Sequence, residues 1–404
     1  MTIQEIRALF PALDRKVYGR PLVYLDNAAT SERPTTVLDK FLTISEKRNA
    51  NLHRAVHRVA VEATEEYENT RGEVGRFMNA AEPAGIVFTS GATSAINLVA
   101  FSFGEAFVGP GDEILVSESG HHSNIVPWQM LCQRKGAELR VLPVSDDGYL
   151  EPETLDGLIT PRTRLVAVEH VSNVLGIVNP IKELAAVCHS HGVPILVDGA
   201  QGIVHCGVDV QKDDVDFYAF SGHKIYAAPG TGVLYGKRKY LEAMPPYMGG
   251  GEMIETVSFK GTTYAPVPGK FEAGTQNIAG TPTLKPALVF AAETMETSEI
   301  EKIKEFLPKA LSEITGLRLY GVPRRTEDKV PLYSFTVEGA HHEDLALLLD
   351  KMGVAVRSGQ MCAEPLMDRF GVTGMVRASF APYNTLEEAG YFVESLKKAI
   401  KMLS

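Results

Sequence analysis

The sequence contains no uninterrupted apolar run near the ~18 residues that a membrane-spanning helix requires. Its first residues, MTIQEIRALFPALDRK, carry early acids and lack the apolar core of a secretory signal. Cysteine is scarce: the 404 residues include four, at spacings that fit neither a C-x-x-C metal site nor a disulfide framework. These absences predict a cytoplasmic protein.

An excess of positive charge is also missing. The formal net charge is −10 at pH 7, which argues against nucleic acid or a membrane surface as a partner. No G-x-G-x-x-G motif follows the first predicted strand, and no Walker A motif occurs. His53 and His57 have i,i+4 spacing, but no acid lies between them to make an H-E-x-x-H motif. No metal site is therefore predicted.

From about Gly85 to Gly236 the sequence alternates between short apolar runs and amphipathic segments. The runs are rich in valine, isoleucine and leucine, as expected for strands buried on both faces of a sheet. The segment PIKELAAVCHSHG has helical spacing of its apolar residues and ends in glycine. The alternation predicts an α/β fold around a mostly parallel sheet. Its seven predicted strands are Ile86–Thr89, Ile114–Ser117, Leu139–Val144, Leu165–Val171, Pro194–Val197, Phe217–Phe220 and Gly232–Tyr235.

The pattern changes after about residue 290. A helical segment, Ser298–Ile314, with a kink or break expected at Pro308, precedes the strand-like VPLYSFTVEG. A helix at 342–352, the segments GVAVRSG and MVRASFAPYN, and a last helix from about Leu386 follow. We therefore expect a large α/β domain over 22–290 and a smaller α+β domain over 291–404, with residues 1–21 packed against the small domain.

Polar residues follow most of the predicted strands. The predicted strand Phe217–Phe220 is followed by SGHK, which puts Lys224 at the end of a buried-looking strand although lysine is normally solvated. A strand-ending lysine that reaches into water is the simplest interpretation of this tetrapeptide alone. In a parallel sheet, however, ligands bind beyond the carboxyl ends of the strands. The residues expected at that edge are Gly91, Ala92, Thr93, His121, His122, Asn173, Asp198, Gln201, Ser221, His223 and Lys224.

This collection of side chains suits pyridoxal 5'-phosphate. That cofactor needs a lysine for a Schiff base, an acid for its pyridinium nitrogen and a seat for its phosphate. The turn SGATS opens a helix, and the N–H groups at a helix N-terminus bind phosphate, although any strand–turn–helix looks similar. A metal site lacks the support of a cysteine cluster. A dinucleotide site lacks its glycine motif.

Nearly the whole chain resembles the class V aminotransferase family of fold-type I pyridoxal-phosphate enzymes, and within it the SUF-type (short-loop) cysteine desulfurases. The resemblance is carried by a series of segments in a fixed order. They are VYLDNAATS, NLHRAVHRVAVEATEEYENTR, HHSNIVPWQMLC, HVSNVLGIVNP, LVDGAQ, DFYAFSGHKIY, FEAGTQN, RSGQMCAEPLM and VRASFAPYNTLEE.

The resemblance implies roles around the cofactor. It implies that Lys224 attaches the cofactor, which a lysine with a lowered pKa does readily. Asp198 would pair with the ring nitrogen, Gln201 would bind the ring hydroxyl oxygen, and His121 would stack on the ring and transfer protons. The implied phosphate ligands are Ala92, Thr93, Ser221 and His223, with Thr275 reaching in from a neighbouring subunit.

The resemblance also implies a substrate site. Asn173 and Arg377 would hold the substrate carboxylate, the arginine through two charge-assisted hydrogen bonds. Arg357 would position either the nearby loop or the substrate. His53 and Arg54 would line the site across a dimer interface, or simply begin a helix. His122 is interpreted as a neighbour that packs against a loop.

The activity implied is conversion of L-cysteine to L-alanine, with Cys362 accepting the sulfur as a persulfide. The implied setting is a homodimer that supplies sulfur for iron–sulfur cluster assembly through an acceptor protein, with L-selenocysteine as a second candidate substrate. Another class V enzyme, an aminotransferase or an amino-acid lyase with an incidental Cys362, is the alternative. A noncatalytic scaffold is a third hypothesis, and the Lys224, Asp198 and His121 set argues against it.

Three single positions and one turn depart from the SUF-type pattern. Gly120 stands where an acid usually precedes the two histidines, and Gln360 and Met361 precede Cys362 where histidines are common. The phosphate turn reads SGAT and lacks the arginine of many short-loop relatives. These departures bear on sulfur transfer and partner choice rather than on the cofactor.

Overall fold

The computed structural model describes residues 1–295 and 297–403, and α-helices and β-strands are numbered along the chain. The helices are α1 Ile3–Ala8, α2 Thr35–Lys47, α3 Arg58–Phe77, α4 Ala92–Phe107, α5 Val126–Lys135, α6 Pro152–Leu158, α7 Ile181–Ser190, α8 Gly202–His205, α9 Arg238–Ala243, α10 Leu284–Thr294, α11 Ser298–Ser312, α12 His342–Lys351, α13 Glu364–Phe370 and α14 Leu386–Leu403. The strands are β1 Lys16–Val17, β2 Arg20–Pro21, β3 Val23–Tyr24, β4 Ile86–Thr89, β5 Glu113–Ser117, β6 Glu138–Leu142, β7 Thr163–Glu169, β8 Ile195–Asp198, β9 Phe217–Ser221, β10 Gly232–Gly236, β11 Ile254–Ser258, β12 Gly261–Tyr264, β13 Leu317–Tyr320, β14 Leu332–Val337, β15 Val354–Ala355, β16 Arg357–Gly359 and β17 Met375–Ser379.

The central sheet has seven strands in the order β4-β10-β9-β8-β7-β5-β6. β10 runs antiparallel to both neighbours, while β9, β8, β7, β5 and β6 pair in parallel. Every residue of β5, β8, β9 and β10 is buried, because helices cover both faces of the sheet. The prediction of a mostly parallel seven-stranded sheet is confirmed.

Two glycines allow α4 to begin beside the end of β9. Gly232 on β10 lies so close to the turn before α4 that an added Cβ would sit 2.4 Å from the Cα of Gly91. A side chain at Gly232 would therefore push this turn away from the sheet. The close approach brings the first N–H groups of α4 to the edge where Ser221 ends β9.

The C-terminal part forms a four-stranded antiparallel sheet in the order β13-β14-β17-β16. Helices α11, α12 and α14 pack together with it around a separate apolar core. The break expected at Pro308 is not present, since α11 runs from Ser298 to Ser312 with Pro308 inside it. Leu307 and Leu311 on either side of the proline are fully buried, so packing holds this turn in place.

The N-terminal residues contact both parts of the molecule. Phe10 packs against Tyr226 and Phe290, whereas Val23 belongs to the small-sheet core and β3 pairs with β15. Arg7 forms an ion pair with Glu388 of α14. The domain boundaries stay a prediction, and we propose a large domain over 22–290 and a small domain over 291–404. Of the latter, Glu296 and Ser404 lie outside the described residues.

No helix in the described ranges combines the length and the apolar character needed to cross a membrane.

A buried ion pair joins α3 to the segment after the β11–β12 hairpin. Arg71 Nη1 lies 2.6 Å from Glu272 Oε1, and both side chains are almost completely buried. Glu272 Oε1 also accepts a hydrogen bond from the Phe88 N–H on β4, and Arg71 donates to the Ile86 carbonyl. The pair therefore connects a helix, an edge strand and a loop at one point.

We expect Glu272→Gln to lower the free energy of unfolding by about 3–5 kcal/mol, because it leaves the buried Arg71 charge without its main partner. Thermal and urea unfolding followed by circular dichroism would measure the change. Glu242→Gln, which removes the carboxylate of an exposed i,i+4 pair with Arg238, is the matched control and should have little effect. Equal stability of the two variants would contradict this view of the pair.

Candidate active site

A cavity of about 430 Å³ opens at the carboxyl edge of the central sheet, where β16 and β17 approach it. Residues from the N-terminal segment, the large sheet and the small sheet all line it. Twelve of the residues predicted from the sequence are present: Ala92, Thr93, His121, Asn173, Asp198, Gln201, Ser221, His223, Lys224, Arg357, Cys362 and Arg377. The sheet edge thus gathers side chains from positions far apart in the chain.

Lys224 ends the short 3₁₀ turn that follows β9. The turn needs glycine at position 222, because an added Cβ would lie 2.1 Å from Thr231 Oγ1. The Lys224 amine makes no hydrogen bond or ion pair with the residues the structure describes. Burial lowers the pKa of Lys224, while the negative charge of Asp198 opposes that shift. The amine is therefore available as a nucleophile or base within the cavity.

Asp198 ends β8 directly beside Glu169, which ends β7. Asp198 Oδ1 accepts a hydrogen bond of 3.0 Å from the Ala200 N–H. Burial raises the pKa of Asp198, and the nearby Lys224 charge lowers it in part. A buried carboxylate of this kind requires a positive partner, and a protonated ring nitrogen would supply one.

Glu169 is a second buried acid at this edge. Burial raises its pKa to about 7, and hydrogen bonds from the Ser119 and Ser117 hydroxyls to Oε1 only partly offset that effect. Its other oxygen, Oε2, has no hydrogen-bond partner among the described residues. Glu169 therefore favours the protonated form over much of the acidic and neutral range.

His121 lies between β5 and α5. Its Nδ1 accepts a hydrogen bond of 3.1 Å from the Ser123 N–H, which assigns the proton of the neutral ring to Nε2. Burial, followed by the positive charge of Lys224, lowers the pKa of His121 to about 4. The imidazole is therefore neutral near pH 7, and its chemistry there is that of a weak base.

The N-terminus of α4 forms one wall of the cavity. The Ala92 N–H donates to Ser221 Oγ at 2.8 Å, and the Thr93 and Ser123 hydroxyls are 2.7 Å apart. On the opposite side, His223 Nδ1 lies 3.2 Å from Thr30 Oγ1, and burial lowers the pKa of His223 to about 4. Hydroxyl groups and a helix N-terminus in one wall are suited to an anion such as a phosphate.

Arg377 lies at the small-sheet side of the cavity. Its Nη1 donates to the Asn173 carbonyl at 2.8 Å, and its Nη2 lies 3.3 Å from Asp26 Oδ1. The Nε atom of Arg377 is buried and has no hydrogen-bond partner in the described part of the chain. Arg357 is half exposed and lies 3.8 Å from Asp26. Asp26 thus orients two cations that could bind a substrate carboxylate.

Cys362 is the exposed cysteine among the four. Burial raises the pKa of Cys132 to about 11 and the pKa of Cys188 and Cys206 to about 12, so these three thiols are poor nucleophiles. The Cys362 thiol lines the same cavity as the Lys224 amine. The geometry therefore combines an accessible thiol with an available amine.

Three of the residues to which the resemblance gave a role at the site, His53, Arg54 and Thr275, do not line this cavity within one chain, and Gly91 and His122 do not line it either. His53 Nε2 lies 3.1 Å from Glu68, and Arg54 lies 3.2 Å from Glu252. Both line a separate cavity of about 340 Å³. Thr275 lines neither cavity. Their approach to the site from a neighbouring subunit stays a prediction.

Several residues that line the cavity were not predicted from the sequence: Asp26, Thr30, Ser123, Glu169 and Met361. Glu169 lies inside the predicted strand Leu165–Val171, whereas the observed β7 ends at Glu169, so the rule that polar residues gather beyond strand ends would have found it only with the correct strand end. Asp26 lies in the segment VYLDNAATS, which precedes the sheet and carries no strand-end signal. Its position depends on the bridge between Asp26 and Ser379.

The side chains of this cavity match what a pyridine ring with a phosphate requires: a buried acid, an anion seat and an amine that has no hydrogen-bond partner in the described part of the chain. The family model described as aminotransferase class-V matches residues 23–392. The chain belongs to this family. Class V enzymes of this kind use pyridoxal phosphate, which confirms the predicted cofactor.

Similar proteins support the assignment over the full length. A probable cysteine desulfurase of Vibrio cholerae is 44% identical over 407 residues, with 100% of both chains covered. A cysteine desulfurase of Klebsiella pneumoniae is 45% identical, with coverage of 100% of this chain and 99% of that protein. The solved structure of the cysteine desulfurase CsdA from Escherichia coli matches with a TM-score of 0.91 at 40% identity over 100% of both chains. An apo cysteine desulfurase from Thermococcus onnurineus matches with a TM-score of 0.93 at 35% identity, covering 100% and 99%.

We expect Glu169→Gln to stabilise this class V enzyme above neutral pH. The folded-state pKa of Glu169 is about 7, against an ordinary value of 4.5. The protonated acid is therefore stable in the fold, and stability is lost as the pH rises from 4.5 through 7. Glutamine stays neutral at every pH. The free energy of unfolding of the variant should therefore be larger than that of the parent by up to about 3 kcal/mol at pH 8, and by less at pH 5.

Thermal unfolding of parent and variant between pH 5 and 8 would measure this difference. Glu153→Gln, at an exposed position in α6, is the control. The difference in stability between this variant and the parent should not increase as the pH rises. A Glu169→Gln effect that is constant from pH 5 to 8 would mean that Glu169 does not titrate in this range.

Proposed function

We propose that the enzyme is a cysteine desulfurase that converts L-cysteine into L-alanine and retains the sulfur as a persulfide on Cys362. The observation that carries this proposal is the shared cavity of an exposed Cys362 thiol and the Lys224 amine. The full-length similarity to proteins named cysteine desulfurase supports it. In the alternative, an aminotransferase or an amino-acid lyase, the Cys362 thiol would be incidental.

Pyridoxal phosphate, when bound, supplies an electron sink that weakens bonds at the substrate α- and β-carbons. We propose that Lys224 holds it covalently, that Asp198 faces its ring nitrogen and that His121 stacks on the ring. Gln201 donates to the Ala28 carbonyl at 2.7 Å, and its amide oxygen would face the ring hydroxyl. The proposed phosphate ligands are Ala92, Thr93, Ser221 and His223, with Thr275 from a neighbouring subunit.

The substrate carboxylate would bind to Arg377 and Asn173. The buried Nε of Arg377 has no hydrogen-bond partner among the residues that the structure describes, and a carboxylate oxygen would satisfy it. Arg357, which is half exposed, would add a second positive charge at the mouth of the cavity. Neutral His121 and the Lys224 amine are the candidate bases that remove and return protons at the substrate carbons.

Sulfur transfer would take place at Cys362. Its thiolate attacks the sulfur of cysteine, a sulfur–sulfur bond forms, and the bond between Cβ and sulfur breaks. Cβ then takes up a proton and becomes the methyl group of alanine, so cysteine and the enzyme thiol yield alanine and one persulfide. The Lys224 amine and the Arg377 guanidinium both interact electrostatically with Cys362.

The persulfide would be delivered to an acceptor protein in the cytoplasm, in support of iron–sulfur cluster assembly. Cys362 is exposed at the cavity, so an acceptor thiol could approach it from outside. L-Selenocysteine is a further candidate substrate, because its carbon–selenium bond breaks more readily and depends less on attack by the thiolate.

We expect Cys362→Ala to keep the cofactor and cysteine binding, since neither requires the thiol. Production of alanine from cysteine should fall by at least about 100-fold, because removal of a nucleophile removes the step it performs. Alanine assays and mass spectrometry of the persulfide would measure this. Cys206→Ala, which removes a half-buried thiol outside this cavity, is the matched control and should behave like the parent. Parent-like turnover by Cys362→Ala would assign the protein to another class V activity.

A homodimer is proposed because one chain leaves an apolar surface exposed near the residues missing from the site. Phe259 and Val257 in the β11–β12 hairpin and Val56 beside Arg54 are largely exposed. The ion pair between Arg54 and Glu252 ties these two regions together. Covering this surface with a second copy would bury apolar side chains and bring His53, Arg54 and Thr275 towards the partner's cavity.

We expect the protein to be a dimer in sedimentation experiments, and Phe259→Asp to weaken the dimer because it places a charge in an apolar contact. The exposed Met402→Asp near the C-terminus is the control and should leave the dimer intact. A fully active monomer would exclude a site shared between subunits.

A further inference from the structure

The loop that carries Cys362 has an unfavourable backbone. Met361 has a φ of 54° and Cys362 a φ of 56°, two consecutive residues in the left-handed region. Side chains with a Cβ disfavour this conformation, and neither methionine nor cysteine has a short polar group that could relieve it. Contacts from the surroundings must therefore hold the loop in place.

One side of the loop is held by burial and by Asn173. Met361 and Ala363 are buried on either side of the exposed Cys362. The Asn173 side-chain amide donates to the Met361 carbonyl at 2.8 Å, and Arg377 in turn donates to the Asn173 carbonyl. The proposed carboxylate site and the start of the cysteine loop are thus connected.

The other side of the loop is held by His122. Its backbone N–H donates to the Cys362 carbonyl at 2.8 Å. Its ring Nε2 accepts a hydrogen bond of 3.2 Å from the Glu364 N–H. His122 therefore contacts the chain at Cys362 and two residues beyond it, on a segment that directly follows His121.

The ring contact requires a neutral imidazole. Nε2 can accept from the Glu364 N–H only while it carries a lone pair, so the ring proton belongs on Nδ1. The Glu364 carboxylate lies 3.9 Å from Nε2, a distance that suits an ion pair with a protonated ring. The backbone hydrogen bond is the shorter contact, and we take it as the interaction that holds the loop.

We propose that His122 is a positioning residue that fixes the left-handed Cys362 loop, so that the thiol faces the cavity. This inference rests on the proposed desulfurase function. His122 does not line the cavity and is not expected to touch the substrate. It would act through the loop, by keeping the thiol within reach of the substrate sulfur. Reaction between two groups requires that their atoms be held close together and aligned.

The test compares His122→Ala, which removes the ring acceptor, with His122→Gln, whose amide oxygen can replace Nε2. His191→Ala, which removes an exposed histidine paired with Asp156, is the control. Three measurements are made on the cofactor-loaded enzyme. They are hydrogen exchange over residues 359–366, peptide-mapped alkylation of the cysteines by iodoacetamide, and steady-state alanine production.

In His122→Ala, we expect loop amides to exchange at least about 10-fold faster and Cys362 to be alkylated several-fold faster, because the loop is released. We expect kcat to fall about 10-fold or more while KM for cysteine changes less than about twofold, since the carboxylate site remains. His122→Gln should restore each of these values most of the way to that of the parent, and His191→Ala should match the parent.

Cys132 and Cys188 are buried and report on global unfolding. Faster alkylation of these two in His122→Ala, unchanged loop exchange in that variant, or an equal defect in His122→Gln would each overturn the proposal. Hydrogen exchange and alkylation require no turnover of cysteine. They therefore decide the role of His122 even if the desulfurase activity itself were absent.

Discussion

The site depends first on the parallel register of β7, β8 and β9. Glu169 pairs with Asp198, and Asp198 pairs with Ala219, so the three strands end at nearly the same level at one edge of the sheet. Because side chains alternate between faces along a strand, a shift by one residue would turn these acids away from the cavity. The turn that carries Lys224 follows β9 directly, and its position is therefore set by the same pairing.

Burial is the main cause of the perturbed pKa values at this edge. It lowers the pKa of Lys224 and His121 and raises the pKa of Asp198 and Glu169. A protein gains no stability from placing unpartnered ionisable groups in a low-dielectric site. Such groups are kept where chemistry requires them, and a bound cofactor and substrate would provide the missing partners. The buried Nε of Arg377 has the same explanation.

Much of the fold and of the site follows from local sequence patterns. Six of the seven central strands contain a run of at least three apolar residues, whereas β6, ELRVL, is interrupted by Arg140. The residues beyond the strands converge because parallel strands end together. Asp26 could not be predicted in this way. It contacts Arg377, 351 residues away, and that contact depends on how the N-terminal segment lies against the small sheet. Helix α11 also continues through Pro308, because the neighbouring Leu307 and Leu311 are buried in the core.

The sequence by itself determined the layered α/β architecture and the chemistry at the sheet edge, because periodicity and strand ends are local properties of the chain. It also contained Cys362, yet no local pattern gives that residue an accessible position in the same cavity as Lys224. Only the tertiary structure decided this, through contacts such as the one between His122 and Glu364, 242 residues apart. A loop with two left-handed residues has no strong local preference for its conformation, so its distant neighbours determine it.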